Sequence, residues 1–330
     1  MQAIVLVGGE GTRLRPLTDS TPKPALTLVD RPFLAYMVEW LAGHGVDEVV
    51  LACGFKPDEL RAALGDHEHD GVAIRYVTEP DRRGTAGAIR FAAEALGDEL
   101  GERFLALNGD VLTDLDLTAL LRGHEERAAR ATLALYPVED SAAYGLVSCG
   151  DDGAVSAFTE KTGEAVPGEI NAGAYVLERS VLDLISAGRE VSIEREVFPR
   201  LVGDGLFALR LDGYWMDIGT PDRYLQASWD ILEGRVRTQV SATAPGLFVG
   251  AGAEVATGAT IGPRAVLAPG CTVAAGAAVR GSVLLDGCTV AAGARIENSI
   301  LAPGVNVAAG AALTGEVVGR DQTVPAPEMT

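Results

Sequence analysis

The sequence predicts an α/β protein in two parts: a Rossmann-like domain with a mostly parallel sheet over residues 1–235, then a left-handed parallel β-helix over residues 236–330. Three observations carry this. Short apolar, β-rich runs alternate with helical segments as far as about residue 235. A six-residue period replaces that alternation beyond residue 240. A glycine-rich loop follows the first apolar run directly, which is where a parallel sheet presents its ligand-binding edge.

In chain order the predicted strands are AIVLV (3–7), EVVLAC (48–53), AIRYVT (73–78), FLALN (104–108) and TLALYP (132–137). Between the first two, residues 32–44 read as a helix. Pro32 suits its first turn, Phe33, Leu34, Met37, Val38 and Leu41 form one apolar face, and Gly45 supplies a stop. Further on, Val249, Val255, Ile261, Leu267, Val273 and Val279 fall every six residues. Leu284, Val290 and Ile296 follow after a slip of one, and Leu301, Val307 and Leu313 after another. Two residues before each stands a small side chain, with Leu247 and Val305 as the only departures. One aliphatic and one small residue per hexapeptide is the pattern of a parallel β-helix, in which three repeats make a coil and the aliphatic residues stack inside. Cys271 and Cys288 occupy small-residue positions and are expected to be interior fillers.

Composition excludes several functions. No 18-residue apolar run occurs and no basic segment precedes the first strand, so neither a membrane partner nor a signal peptide is expected, and a cytoplasmic location follows. The four cysteines form no CxxC pair, which suits reduced thiols. A formal charge of −19 argues against nucleic acid as a partner, although a local cationic cluster can still bind a small phosphorylated ligand. Of 27 basic residues only Lys23, Lys56 and Lys161 are lysine. Lysine is a compact point charge suited to phosphate oxygens, so Lys23 and Lys161 invite a role, whereas Lys56 reads as an ordinary surface residue.

The loop reads LVGGEGTRLRPLTDSTPKP from Leu6 to Pro24. Its glycines let backbone N–H groups approach phosphate oxygens, but Leu14 breaks a dinucleotide fingerprint and no GKS or GKT completes a Walker loop. Asp110 ends the strand run FLALNGD and reads equally as a metal ligand or a turn residue. Asp114 and Asp116 read as capping or solvated residues.

The loop as a whole resembles the signature of the sugar-phosphate nucleotidyltransferases, GGxGTRLxPLTxxxPKP. RGTAGAI (83–89, with Arg82 before it), FLALNGD (104–110), AFTEKT (157–162), INAGAYVL (170–177) and GYWMDIGTPDRYLQA (213–227) resemble further motifs of that family in the expected order. The resemblance covers the chain, since many members, GDP-mannose pyrophosphorylases among them, carry a hexapeptide tail. It implies attack of a sugar 1-phosphate oxygen on the α-phosphorus of a nucleoside triphosphate, with pyrophosphate leaving. It implies catalytic roles for Arg13, Lys23, Asp110 and Asp217, with Mg2+ held by Asp110 and Asp217. Nucleotide contacts fall to Leu6, Gly8, Gly9, Gly11, Thr12, Arg13, Lys23, Glu79, Gly84, Thr85 and Asp110, and sugar-phosphate contacts to Gly145, Glu160, Lys161 and Asn171.

The resemblance places the nucleobase at Glu79, and a carboxylate matches the N1–H and N2 amino group of guanine, whereas uracil and thymine offer one N–H between carbonyls. GTP is therefore the expected nucleotide, and the resemblance implies mannose 1-phosphate as its partner. A thymidylyl- or uridylyltransferase for glucose 1-phosphate, a guanylyltransferase for another sugar or cyclitol phosphate, and a catalytically silent nucleotide-sugar sensor are the alternatives. A fused acetyltransferase is a poor reading, because residues 241–330 contain no histidine. The alanine-rich coils, with flat aliphatic faces and an open end, predict a homo-oligomer.

Overall fold

The computed structural model describes residues 1–54, 56–159 and 163–327. Contacts divide the chain into two compact units, one of residues 1–9 and 37–215, the other of residues 10–36 and 216–330.

The first unit is built on a ten-stranded sheet. Its strands are β1 (Gln2–Leu6), β2 (Glu48–Cys53), β3 (Glu68–His69), β4 (Val72–Thr78), β5 (Arg103–Asn108), β6 (Ala131–Val138), β7 (Leu146–Cys149), β8 (Val155–Thr159), β9 (Gly168–Glu178) and β10 (Leu206–Arg210). The order is β8-β7-β9-β5-β1-β2-β4-β3, with β6 pairing both β9 and β10. Strands β5, β1, β2 and β4 form the parallel heart, and β9 reverses direction beside β5. Strand β6 pairs antiparallel with β9 and parallel with β10, so it shares the direction of the heart. Ile4, Val50, Ala52, Phe104 and Ala106 belong to one core cluster, with side chains of the helix α3 named below. The alternate residues Ala3, Val5, Val49, Leu51 and Leu105 are also fully buried, so both faces of the heart are covered and its strands read as unbroken apolar runs.

The longer helices up to this point among the described residues are α1 (Phe33–Gly43), α2 (Pro57–Leu64), α3 (Gly84–Leu96) and α4 (Leu117–Glu126). Helix α3 lies on β1 and β2, while α4 lies on β6, β9 and β10. The predicted apolar face of α1 is buried throughout, and Gly45 takes φ 79° beyond its end. Pro32 is not in the first turn. It pairs with Thr27 in a two-residue ladder, and the N–H of Phe33 is committed to the Leu26 carbonyl at 2.8 Å, so the helix begins one residue later. Asp116 caps α4 by accepting from the Ala119 N–H at 3.0 Å. Asp114 is not solvated: it is buried, and its Oδ1 accepts the Tyr214 N–H at 2.7 Å.

The second unit contains α5 (Pro221–Leu232) and the coils. Among the described residues, fourteen short strands stack into three parallel sheets, of five, five and four strands, in the left-handed β-helix that the hexapeptides predict. Leu267 stands in register with Leu284 and Leu284 with Leu301; Val273 stands with Val290 and Val290 with Val307. Cys271 and Cys288 are fully buried among them as free thiols. The stack departs from the pattern in its first coil, where Val255 is 41% exposed because no earlier coil covers it. At the other end, a Cβ on Gly319 would lie 3.4 Å from Pro16 Cβ, and Arg320 Nε donates to Ser20 Oγ at 3.4 Å. The last coil therefore braces the segment after the loop glycines. None of the described helices is long and apolar enough to cross a membrane.

Candidate active site

In the first unit the candidate residues gather at the carboxyl ends of the parallel strands. Leu6 closes β1 opposite Asn108 and Ala52, and its carbonyl accepts the Gly109 N–H at 2.9 Å, which sets the turn that carries Asp110. Glu79 follows β4 directly, its N–H given to the Cys53 carbonyl at 2.8 Å. A Cβ on Gly8 would stand 3.8 Å from Glu79 Oε1, so the glycine loop starts against that carboxylate. Burial pushes the Glu79 carboxyl up, offset in part by the charge and backbone N–H of Arg83. The Arg83 guanidinium covers the ring of Phe91 at 4.3 Å, and its buried Nε has no hydrogen-bond partner.

Gly84 opens α3 with φ 65°, and a Cβ there would meet the Val191 carbonyl oxygen at 2.6 Å, so both backbone angle and space demand glycine. Thr85 uses its hydroxyl internally: Oγ1 accepts the Ile193 N–H at 2.8 Å and donates to Glu194 Oε2 at 3.1 Å. Glu194 also accepts from Ser192 Oγ at 2.9 Å and, through Oε1, from the Tyr175 hydroxyl at 3.4 Å. That hydroxyl in turn accepts from Asn171 Nδ2 at 2.8 Å, while Asn171 Oδ1 accepts the Gly173 N–H at 3.0 Å. Asn171 is thus held at both ends of its amide. Burial, and then the Glu194 charge, raise the Tyr175 hydroxyl well above its ordinary range, so it stays protonated and able to donate.

Glu194 and Tyr175 escaped the sequence reading. Tyr175 sits inside INAGAYVL as one apolar residue among others, and VSIEREV around Glu194 carries no motif. Trp215 gave a better signal, lying within GYWMDIG. It stacks on Tyr136 at 5.6 Å, and its Nε1 donates to the Ala172 carbonyl at 2.8 Å beside Asn171. Gly145 precedes β7, where a Cβ would approach the Thr159 carbonyl oxygen at 3.1 Å. Glu160 and Lys161 lie outside the described residues.

In the second unit the loop continues through Gly11, whose φ of 63° is left-handed, into a single turn, Thr12–Leu14. Thr18 Oγ1 donates to the Gly11 carbonyl at 3.0 Å, and a Cβ on Gly11 would lie 3.2 Å from Lys23 Cβ. The proline-bearing stretch does return Lys23 to the loop. Lys23 is 7% exposed, an unusual position for a lysine unless it is paired. Its Nζ stands 3.5 Å from Asp217 Oδ1. Arg13 Nη2 lies 3.9 Å from Asp217 Oδ2, and Arg223 Nη1 donates to the same oxygen at 3.0 Å. Arg13, Lys23 and Asp217 thus come together, joined by an arginine that sequence reasoning did not single out. Asp217 Oδ1 is buried and accepts no hydrogen bond. A buried carboxylate oxygen left without a donor fits a hard divalent cation.

Comparison with known proteins agrees in both halves. A family model described as nucleotidyl transferase matches residues 2–234, and one described as GMPPB C-terminal domain matches residues 243–327. The mannose-1-phosphate guanylyltransferase of Mycobacterium tuberculosis (strain ATCC 25618 / H37Rv) is 43% identical over 237 residues, covering 71% of this chain and 65% of that protein. Probable mannose-1-phosphate guanylyltransferase 1 of Oryza sativa subsp. japonica is 42% identical over 228 residues, covering 68% of this chain and 63% of that protein. The matches therefore span less than two thirds of these relatives' length. Among solved structures, HddC from Yersinia pseudotuberculosis superposes with a TM-score of 0.61 at 26% identity, covering 70% of this chain and 99% of that one, and it has also been solved complexed with GMP-PN.

Proposed function

Because the chain belongs to the nucleotidyl transferase family, we propose that it transfers the guanylyl group of GTP to mannose 1-phosphate, giving GDP-mannose and pyrophosphate. The observation that carries this reading is the cluster of Lys23, Arg13 and Arg223 on Asp217, with Gly11 of the loop packed against Lys23. Two polyanions must meet here, and such a cluster answers the charge that they bring. A phosphate oxygen of the sugar phosphate attacks the α-phosphorus in line, the bond to the bridging oxygen breaks, and its electron pair leaves with pyrophosphate. Backbone amides of Gly8, Gly9, Gly11 and Thr12 would hold the triphosphate, Lys23 would act as a fixed point charge, and Arg13, 64% exposed, can follow the departing pyrophosphate. Family members typically use a divalent metal. We take it to be Mg2+ held by Asp110 and Asp217, where it would neutralise developing charge on phosphate oxygens.

Glu79 would read the base by accepting the N1–H and N2–H of guanine, with Leu6, Gly84 and Thr85 forming the wall around it. Asn171, immobilised by Tyr175 and the Gly173 N–H, would meet a sugar hydroxyl, with Gly145, Glu160 and Lys161 completing the acceptor side. Residues 1–235 would carry the chemistry. Residues 236–330 would brace the loop and mediate self-association, and light scattering of the full chain tests that last point: a monomer at micromolar concentration refutes it.

Pyrophosphate release from five nucleoside triphosphates against mannose, glucose and other sugar 1-phosphates tests the whole reading. GTP with mannose 1-phosphate should lead, and preference for dTTP or UTP would overturn the role of Glu79. Reading guanine requires the ionised carboxylate. Since burial raises the Glu79 carboxyl, kcat/KM for GTP should fall with acidification at a higher pH than an ordinary carboxylate would give, and Glu79→Gln should abolish that limb.

A further inference from the structure

Arg223 is the third residue of α5, and its backbone is pinned because its N–H meets the capping hydroxyl of Thr220 at 3.4 Å. From there the side chain, 33% exposed, reaches back to Asp217 Oδ2 at 3.0 Å. The opposite oxygen, Oδ1, receives no hydrogen bond and has Lys23 Nζ at 3.5 Å. Gly219 lets the Arg13 guanidinium and the carboxylate come this close: a Cβ there would lie 3.0 Å from Asp217 Oδ1 and 2.5 Å from Arg13 Nη2. Three cationic groups thus converge on one carboxylate, and each would oppose a second cation bound to it. A bare divalent cation meets that repulsion, whereas a triphosphate offsets it.

We infer that Arg223 is a positioning residue that makes metal binding at Asp217 depend on the nucleotide: it grips Oδ2, so fixing the orientation of the carboxylate, and its charge helps to turn away a divalent cation until a polyphosphate is present. This rests on the reading of Asp217 as a metal ligand. Neutralising one cation so close to a divalent ion in a partly buried site should change its affinity by about tenfold or more.

The test is Mn2+ titration of the full chain, followed by the EPR signal of the free ion, with and without a slowly hydrolysed GTP analogue. Without nucleotide, Arg223→Gln should bind Mn2+ about tenfold more tightly than wild type, and Arg223→Lys, which keeps the charge, should stay weak. With the analogue, the Arg223→Gln gain should largely vanish. Arg223→Met supplies a second neutral side chain of similar reach if the glutamine variant fails to melt cooperatively. An unchanged nucleotide-free affinity in a folded neutral variant overturns the inference, as does an equal gain with and without analogue, or a gain in Arg223→Lys as large as that in Arg223→Gln. Asp217→Asn separates this from its premise. If that variant binds Mn2+ with the analogue as wild type does, the metal reading itself is wrong. If it loses binding while Arg223→Gln changes nothing, only the role of Arg223 is refuted.

Discussion

Buried polar groups in the coils and in the sheet follow different rules. In the coils one arrangement is repeated. Ser299 N–H donates to Ser282 Oγ at 3.0 Å, Glu316 N–H donates to Ser299 Oγ at 3.1 Å, and each hydroxyl donates to a carbonyl two residues earlier at 2.7 Å. Cys271 and Cys288 likewise meet the Leu285 and Ala302 carbonyls, each at 3.2 Å. In the sheet each arrangement is unique and joins distant segments: His124 pairs Thr132 at 2.9 Å with Glu178 at 3.0 Å, Asp114 fixes Tyr214, and Glu194 gathers Thr85, Ser192 and Tyr175. A repeated polar contact holds a shape and can be lost with a purely structural cost. A contact made once, at a strand end, holds a particular side chain in a particular place, and its loss should be felt in the chemistry.

The largest test of that division is Asp217→Asn. It removes the charge on which Lys23, Arg13 and Arg223 converge, and turnover should fall by about a thousandfold or more. The melting temperature should drop as well, because Lys23 is buried and loses a counter-charge, so turnover is compared at a temperature where both proteins are folded. Near-normal activity at saturating magnesium would remove Asp217 from the site. Leu284→Ala is the counterpart in the coils. Leu284 is fully buried between Leu267 and Leu301, and the cavity should destabilise the protein by about 2–5 kcal/mol. Denaturant unfolding would show this, with kcat at low temperature unchanged; a matching loss of turnover would mean that the coils act on the chemistry.

The same division explains what could be read from the chain. The coils were legible residue by residue because each side chain is dictated by the one a coil earlier, and only the end effect at Val255 escaped the period. The parallel strands were legible because burial on both faces leaves an apolar run. The sheet's reversal at β9 was not: it depends on which edge pairs with β5 and β6, and no local pattern records that. At the site, Arg13, Lys23 and Asp217 were found through motifs, and the structure brings them together. Arg223 was not, since PDRYL reads as an ordinary helix start and its meaning comes from the direction of one side chain. Glu194 was hidden for the same reason.

The smallest effects test the division most sharply, because the lesion can be matched: one buried hydroxyl removed in each region. Ser282→Ala takes the acceptor from the N–H of Ser299, itself fully buried, and should cost about 1–3 kcal/mol of stability. Ser299 keeps its own donation to the Glu297 carbonyl, so the fault should not spread along the stack. Tyr175→Phe removes a hydroxyl that joins Asn171 to Glu194, and the ring stays packed edge-on against Phe198 at 5.1 Å. Its stability cost should be similar or smaller, since the aromatic surface remains buried. Asn171 Nδ2, however, loses its acceptor, and the amide is free to turn away from a sugar hydroxyl. The KM for the sugar phosphate should then rise about fivefold to tenfold, as loss of one fixed hydrogen bond implies, while KM for GTP holds. Steady-state kinetics on both variants beside their denaturation midpoints decides the matter. If Ser282→Ala moves KM, or Tyr175→Phe moves only the midpoint, the two regions do not divide structure from chemistry in the way their hydrogen bonds indicate.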